Sequence, residues 1–383
     1  MIFMKRILAH VACTAGGLTL ALCSGLAIGD LDLKRLPLGD GHLSTQAKVG
    51  YIWPCHLEAD AGGAFRDGPW IHSDGTYDFT AKAVVDGNET WPNRFTLSHE
   101  GYKRVFSTND LPNHGTGRFP IEASDDAYQY DRNPNRIREQ TVRVELPLNP
   151  ALASSPSCAP GAIGILLTGS VLFSALDALG RDAVAHETQD KCQGHPQQSG
   201  VYHYHSISSC LPDDSTSDGH SKLAGYALDG FGIYGRRGEG GKTLTSADLD
   251  ECHGHTHRID WEGKSVTMYH YHATWDFPYS VGCLRGSYSR ADVEALSGPR
   301  PTQHGGDHGQ GRHRMQEGGE MMERPGGGRR SPPDLAAAAS KLGISESRLR
   351  QALGPPPPDL EATASQLGIS VQKLREALGP PPR

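Results

Sequence analysis

The apolar positions of this chain change their pattern several times, and each change marks a segment. Ile7 to Leu26 form one apolar run behind Lys5 and Arg6, and Ala27-Ile28-Gly29 closes it with small residues. That is the pattern of a secretory signal over residues 1–29. From 30 to about 160 the apolar runs are short, as in Thr76 to Val85, Arg94 to Leu97 and Thr141 to Leu146, and clusters of Gly, Asn, Pro and Asp break them. These are strand and turn signals, and they predict an N-terminal β region over 30–160. Residues 161–296 continue with short strand-like runs. Over 297–333 the aliphatic residues almost vanish in favour of Gly, Arg, His, Gln, Glu and Met, a composition that cannot bury enough surface to offset chain entropy. This segment is predicted to be a disordered linker. In 334–383 the spacing becomes helical and repeats every 25 residues: Leu335, Leu342, Gly343 and Leu349 return as Leu360, Leu367, Gly368 and Leu374. Each unit reads as a helix pair, with Asp334 or Asp359 and then Ser345 or Ser370 as N-caps, and Gly343 or Gly368 as the stop between the helices.

The stretch from 163 to 286 repeats itself. Gly164 to Phe173 aligns with Gly225 to Tyr234 at an offset of 61, as a strand, a Gly turn and a second strand. Asp190-Lys191-Cys192-Gln193-Gly194-His195 aligns with Asp250-Glu251-Cys252-His253-Gly254-His255, and Tyr202-His203-Tyr204-His205 with Tyr269-His270-Tyr271-His272. Each copy closes on Cys-Leu, at Cys210 and Cys283. Four blocks in one order imply two homologous halves related by a pseudo-twofold axis. The fold class expected is therefore mainly β: an internally duplicated, disulfide-stapled β domain with an N-terminal β extension, a disordered linker and two short C-terminal helix-pair repeats.

The duplication directs attention to histidine. Ten of the 19 histidines lie between 186 and 272. Side chains on a strand alternate faces, so both histidines of each Tyr-His-Tyr-His project from one face and both tyrosines from the other. A Gly-His turn adds a third imidazole to each half. The candidate metal ligands are thus His195, His203 and His205 in one half and His255, His270 and His272 in the other, serving one shared site or two. Imidazole sets of this kind suit copper or zinc. His253 and His257 either extend the second set or lie at the surface, whereas His186 and His220 have no counterpart in the repeat. Asp190, Asp229 and Asp250 either orient ligand imidazoles or shape turns.

Composition narrows the function classes. A formal charge of -7 supplies no basic surface for phosphates, which argues against a nucleic-acid partner, and beyond the signal no stretch has the roughly 18 apolar residues of a membrane span. Six of the eight cysteines follow the signal: Cys55, Cys158, Cys192, Cys210, Cys252 and Cys283. In an exported chain they read as disulfides, and the duplication favours Cys192 with Cys210 and Cys252 with Cys283, leaving Cys55 for Cys158. Thiolate metal ligation is the competing reading.

The Tyr-His-Tyr-His signatures, the Asp-x-Cys-x-Gly-His blocks and Leu228-Asp229-Gly230-Phe231-Gly232-Ile233-Tyr234-Gly235 resemble the YHYH domain family of secreted proteins, over roughly residues 45–290. Asp67 to Ile71 and Leu111 to Ile121 are similar to upstream segments of that family. One departure is Gly232, where the family usually has proline. The resemblance implies the domain and an exported location, secreted or periplasmic, but no activity. Three functions follow from the residues: an exported binder of copper or zinc; a secreted metalloenzyme with a three-histidine centre, with Asp229, Glu251 and Asp276 as candidate acids or bases; or a structural or surface protein whose histidines only pack. The C-terminal repeats are candidates for docking a protein partner.

Overall fold

The computed structural model describes residues 31–56, 63–298, 335–344, 346–353 and 360–378. The signal read over 1–29 and most of the linker read over 297–333 lie outside the described residues. In chain order the strands are β1 (Leu36–Pro37), β2 (Thr76–Tyr77), β3 (Val84–Val85), β4 (Phe95–Glu100), β5 (Lys103–Thr108), β6 (Val142–Pro147), β7 (Leu152–Ser157), β8 (Ala162–Leu166) and β9 (Val171–Phe173). After helix α1 (Ala183–His186) come β10 (Gln189–Asp190), β11 (Gly194–Pro196), β12 (Tyr202–Tyr204), β13 (Leu223–Ala227), β14 (Gly232–Tyr234), β15 (Gly254–Trp261), β16 (Lys264–His272) and β17 (Leu284–Gly286). Helices α2 (Arg290–Ser297), α3 (Leu335–Leu342), α4 (Glu346–Leu353), α5 (Leu360–Leu367) and α6 (Val371–Leu378) follow. The protein is mainly β, as expected. None of the described helices is long and apolar enough to cross a membrane.

The repeat in the sequence is a symmetry of one sheet. Eight strands run in the order β11-β12-β9-β8-β13-β14-β16-β15, so each half contributes four and the halves meet at the antiparallel pair β8–β13. Ile165 pairs with its own counterpart Tyr226, while Gly164 faces Ala227 and Leu166 faces Gly225. A local twofold therefore passes through the Ile165–Tyr226 pair. Within each half the pairings also match: the first two strands are antiparallel, the second lies parallel to the Tyr-His-Tyr-His strand, and the Gly-His strand caps the edge. Gly169 and Gly230, in the equivalent turns β8–β9 and β13–β14, take the left-handed backbone at φ 91° and 88° that the tight reversal requires.

A second, three-stranded sheet, β4-β5-β6, packs on this seam. Phe106 of β5 meets Tyr226 at 5.3 Å between ring centroids. The fully buried Arg104 lies over Tyr226 at 4.5 Å and Trp261 at 4.9 Å, and donates to Glu262 Oε1 at 2.6 Å. The N-terminal extension wraps alongside through two-residue strands, β1 with β2 and β3 with β10, around a small core of Leu36, Trp70, Tyr77 and Ala185. Cys55–Cys158, Cys192–Cys210 and Cys252–Cys283 are disulfide-bonded, the pairing read from the duplication. The thiolate-ligand alternative is thereby corrected, because none of these sulfurs remains a thiolate.

In the helical repeats, Gly343 and Gly368 end α3 and α5 at φ 69° and 68°, and Ser370 Oγ accepts the Lys373 amide of α6 at 3.2 Å. The two units share one core, with Ala338, Ala339, Leu349, Ala364, Leu374 and Ala377 buried together. The cap positions Asp334, Ser345 and Asp359 lie outside the described residues.

The seam sets a sharp steric condition. A Cβ on Gly164 would stand 2.4 Å from the Tyr226 carbonyl oxygen, and one on Gly225 2.5 Å from that of Ile165, whereas a Cβ on Gly161 meets nothing within 4 Å. Gly225→Ala should cost about 1–3 kcal/mol through forced strand separation, and Gly161→Ala should stay within about 0.5 kcal/mol of wild type. Urea midpoints of the two variants check this, and equal midpoints would contradict it.

Candidate metal centres

Each histidine set is built by a hairpin at one end of the large sheet. In the first, β11 pairs with β12 so that His195 lies opposite His203, and Cys192–Cys210 ties the turn before β11 to the chain beyond His205. In the second, β15 pairs with β16 so that His255 lies opposite His270, and Cys252–Cys283 takes the same place. Strands β12 and β16 are five steps apart in the sheet, roughly 24 Å at about 4.8 Å per step. The six histidines singled out from the sequence thus fall into two separate clusters rather than one shared site.

Backbone carbonyls orient the rings, and they do so identically in both halves. His203 Nδ1 lies 3.3 Å from the carbonyl oxygen of Val201, and its counterpart His270 Nδ1 lies 3.1 Å from that of Met268. His205 Nδ1 meets the Ser174 carbonyl at 2.5 Å, and His272 Nδ1 meets that of Gly235 at 2.7 Å. A carbonyl only accepts, so in each ring Nδ1 carries the proton and donates it, and Nε2 of the neutral ring keeps a lone pair. Those lone pairs face one another. His203 Nε2 is 3.1 Å from His205 Nε2, and His270 Nε2 is 3.1 Å from both His255 Nε2 and His272 Nε2.

The second cluster has a member that the duplication does not reveal. His220, in the loop between the halves, gives its Nδ1 proton to the Ser221 carbonyl at 2.7 Å and brings Nε2 within 3.1 Å of His272 Nε2 and 3.3 Å of His270 Nε2. The sequence did offer a signal: Gly219-His220 is a third Gly-His dipeptide inside the histidine-dense stretch. Two groups could therefore hold a metal ion through imidazoles alone, His195 with His203 and His205, and His220 with His255, His270 and His272. His114 also approaches Cys192 and Cys210, but those sulfurs form a disulfide. His253 is buried and bonds Thr274 Oγ1 at 3.0 Å, so it neither extends the second cluster nor lies at the surface. His257 stacks on His220 with centroids 5.7 Å apart and pairs with Glu239 at the rim. His186 belongs to neither cluster and sits between Asp40 and Asp67, 2.9 Å from each.

The aspartates shape turns and hold tyrosines rather than imidazoles. Asp190 Oδ1 accepts the amide of Cys192 at 2.8 Å and Oδ2 the Tyr202 hydroxyl at 2.8 Å; Asp250 Oδ1 accepts the amide of Cys252 at 2.9 Å and the Tyr269 hydroxyl at 3.1 Å. Asp229 accepts the Tyr271 hydroxyl at 2.6 Å, as Thr168 accepts that of Tyr204 at 3.1 Å. Of the acids considered for catalysis, Asp229 is thus engaged with Tyr271, Glu251 pairs with Arg285, and Asp276 accepts the Ser246 amide. The carboxylate that does reach an imidazole set is Glu187, which the sequence analysis did not select: its Oε2 lies 3.5 Å from His195 Nε2 and 3.4 Å from His205 Nε2.

Burial, reinforced by neighbouring imidazoles, holds His195, His203 and His272 well below the usual imidazole range and pushes His270 down to about 2. The same causes bring His255 to about 4, and burial brings His205 to about 4 against its hydrogen bond to Ser174. Free imidazole titrates near about 6.5, so on acidification the unfolded chain takes up these protons before the folded one. Stability present above pH ~6.5 should therefore fall below it, by about 1.4 kcal/mol per pH unit for each ring that stays neutral. In the metal-free protein at pH 5, imidazole 15N shifts should still report neutral, Nδ1-protonated rings at His205, His270 and His272. Imidazolium shifts there would contradict the geometry.

No curated protein and no solved structure matches this chain. Residues 143–243, from β6 through β14 and including the first Tyr-His-Tyr-His and His220, match the family described as YHYH protein, and the chain therefore carries a YHYH domain.

Proposed function

We propose that this is an exported transition-metal-binding protein that takes up copper or zinc at two pseudo-symmetric imidazole sites, His195, His203 and His205 in one half and His255, His270 and His272 in the other, the latter joined by His220. One observation carries the reading. The four Nε2 atoms of the second cluster lie within 4.8 Å of one another and four of their six separations are 3.1–3.3 Å, three of the rings having already given the Nδ1 proton to a carbonyl. Lone pairs at that distance repel, and burial disfavours the proton that would bridge them. A cation removes the conflict. Tetrahedral coordination with metal–nitrogen distances of about 2.0–2.1 Å places ligand nitrogens about 3.3 Å apart, close to those four separations. Histidines that only packed and hydrogen-bonded would instead point Nε2 at a donor.

Four imidazoles saturate a tetrahedral ion, which favours holding or delivering the metal over activating a substrate at the second site. The three disulfides fit an oxidising compartment, secreted or periplasmic. The C-terminal helical core fits a role in docking a protein partner.

Elemental analysis tests this on the full chain with its disulfides formed. After reconstitution with zinc or copper(II) and dialysis, the wild type should retain two ions per chain, and a His203→Ala, His270→Ala double variant should retain fewer than one while keeping its β circular-dichroism signal. A wild type that retains neither metal would end the proposal.

A further inference from the structure

We infer that Glu187 is the fourth ligand of the first set, so that the two halves hold chemically unlike centres, three imidazoles and a carboxylate in one and four imidazoles in the other. This rests on the metal-binding reading above and adds to it a ligand and a difference between the sites. The duplication supplies three imidazoles to each half, and the fourth corner comes from segments that the repeat does not share. In the second half it is His220 from the joining loop, whose counterpart position at an offset of 61 is Ala159. In the first half it is Glu187, directly after α1, and at an offset of 60 the second half has Ala247. Neither half can borrow the other's solution.

The state of the side chains at the first site supports the assignment. Glu187 is 7% exposed, and its Oε2, 3.5 Å from His195 Nε2 and 3.4 Å from His205 Nε2, has no hydrogen-bond partner. Both ring nitrogens of His195 are buried and equally without a partner. A buried carboxylate oxygen and a buried imidazole that make no hydrogen bond are costly unless something else satisfies them; His195 clusters with His203 and His205, and the carboxylate oxygen lies against two of the three rings, His195 and His205. A divalent cation would take the carboxylate oxygen and one nitrogen of each imidazole. The carboxylate also halves the charge left behind: a dication with Glu187 leaves +1 in the interior, whereas the four-imidazole site leaves +2. The first site is accordingly matched to a divalent ion. The second, which offers neutral nitrogen donors alone, also suits univalent copper.

Cobalt(II) titration of the metal-free full chain, followed by the visible absorption of tetrahedral cobalt, separates the two sites. The wild type should show two binding steps. Glu187→Gln should weaken one step by about tenfold or more and change its band shape, leaving the other untouched; Glu187→Asp, which keeps the charge but retracts the oxygen by one methylene, should weaken that same step. His220→Ala should affect only the other one. Two unaltered steps in both Glu187 variants would overturn the assignment while leaving metal binding intact, whereas no cobalt, zinc or copper binding by the wild type would overturn the underlying reading instead. Circular dichroism confirms that each variant is folded, and the Asp variant keeps the assignment testable if the Gln variant is not.

Discussion

The close approach of two glycine-bearing strands is the constraint on which the rest of this structure depends. Gly164 and Gly225 occupy equivalent places in the repeat, and each lies where a Cβ would press into the carbonyl oxygen of the facing strand. With hydrogen there instead, β8 and β13 pair directly and the two half-sheets become one. That pairing sends the Tyr-His-Tyr-His strands outward in opposite directions, leaves a single continuous surface for β4–β6 to cover, and places Tyr226 where Arg104 and Phe106 pack on it. The histidine hairpins are the outer edges of a structure organised from its centre.

At those edges the tyrosines and histidines of one motif have divided roles. The tyrosine hydroxyls reach the residues that make the turns, Asp190, Asp250, Asp229 and Thr168, and so tie the Gly-His turn and the strand–turn–strand block to the central motif strand. The motif imidazoles turn the other way, and carbonyls fix the tautomer of His203, His205, His270 and His272 so that the unprotonated nitrogen faces inward. With Nδ1 of His203, His205, His220, His270 and His272 already paired, the unmet bonding capacity of these rings gathers at Nε2. Burial then keeps the rings neutral well below the pH at which free imidazole is charged, so the lone pairs stay available.

Much of this was legible in the sequence. Alternation on a strand was enough to place His203 with His205 and His270 with His272 on common faces, and the repeat was enough to favour two of the cysteine pairs and to foresee two related halves. The C-terminal helices followed from glycine and serine at their ends. Less was legible where geometry had no periodic trace. The three aspartates could equally orient imidazoles or build turns, and only in the folded chain do the amides of Cys192, Cys252 and Phe231 and the tyrosine hydroxyls take their oxygens. His253 follows Cys252 in the same block as His255, yet its left-handed backbone at φ 75° turns the ring toward Thr274 and away from the cluster.

The sequence by itself determined the repeat, the mainly β architecture and six of the imidazoles, and it favoured the disulfide pairing that the structure has, because each of these is written in local spacing or in a comparison of one half with the other. Tertiary structure alone brought a further side chain to each cluster. His220 comes from a loop between the halves and Glu187 from the residue after a one-turn helix, and no periodicity links either to the strands they approach. Tertiary structure also decided that the histidines form two clusters, since the strand order puts the hairpins at opposite ends of one sheet. Contacts between segments distant in sequence are fixed by how the sheet closes around its seam, and a linear pattern contains that information only where the chain happens to repeat it.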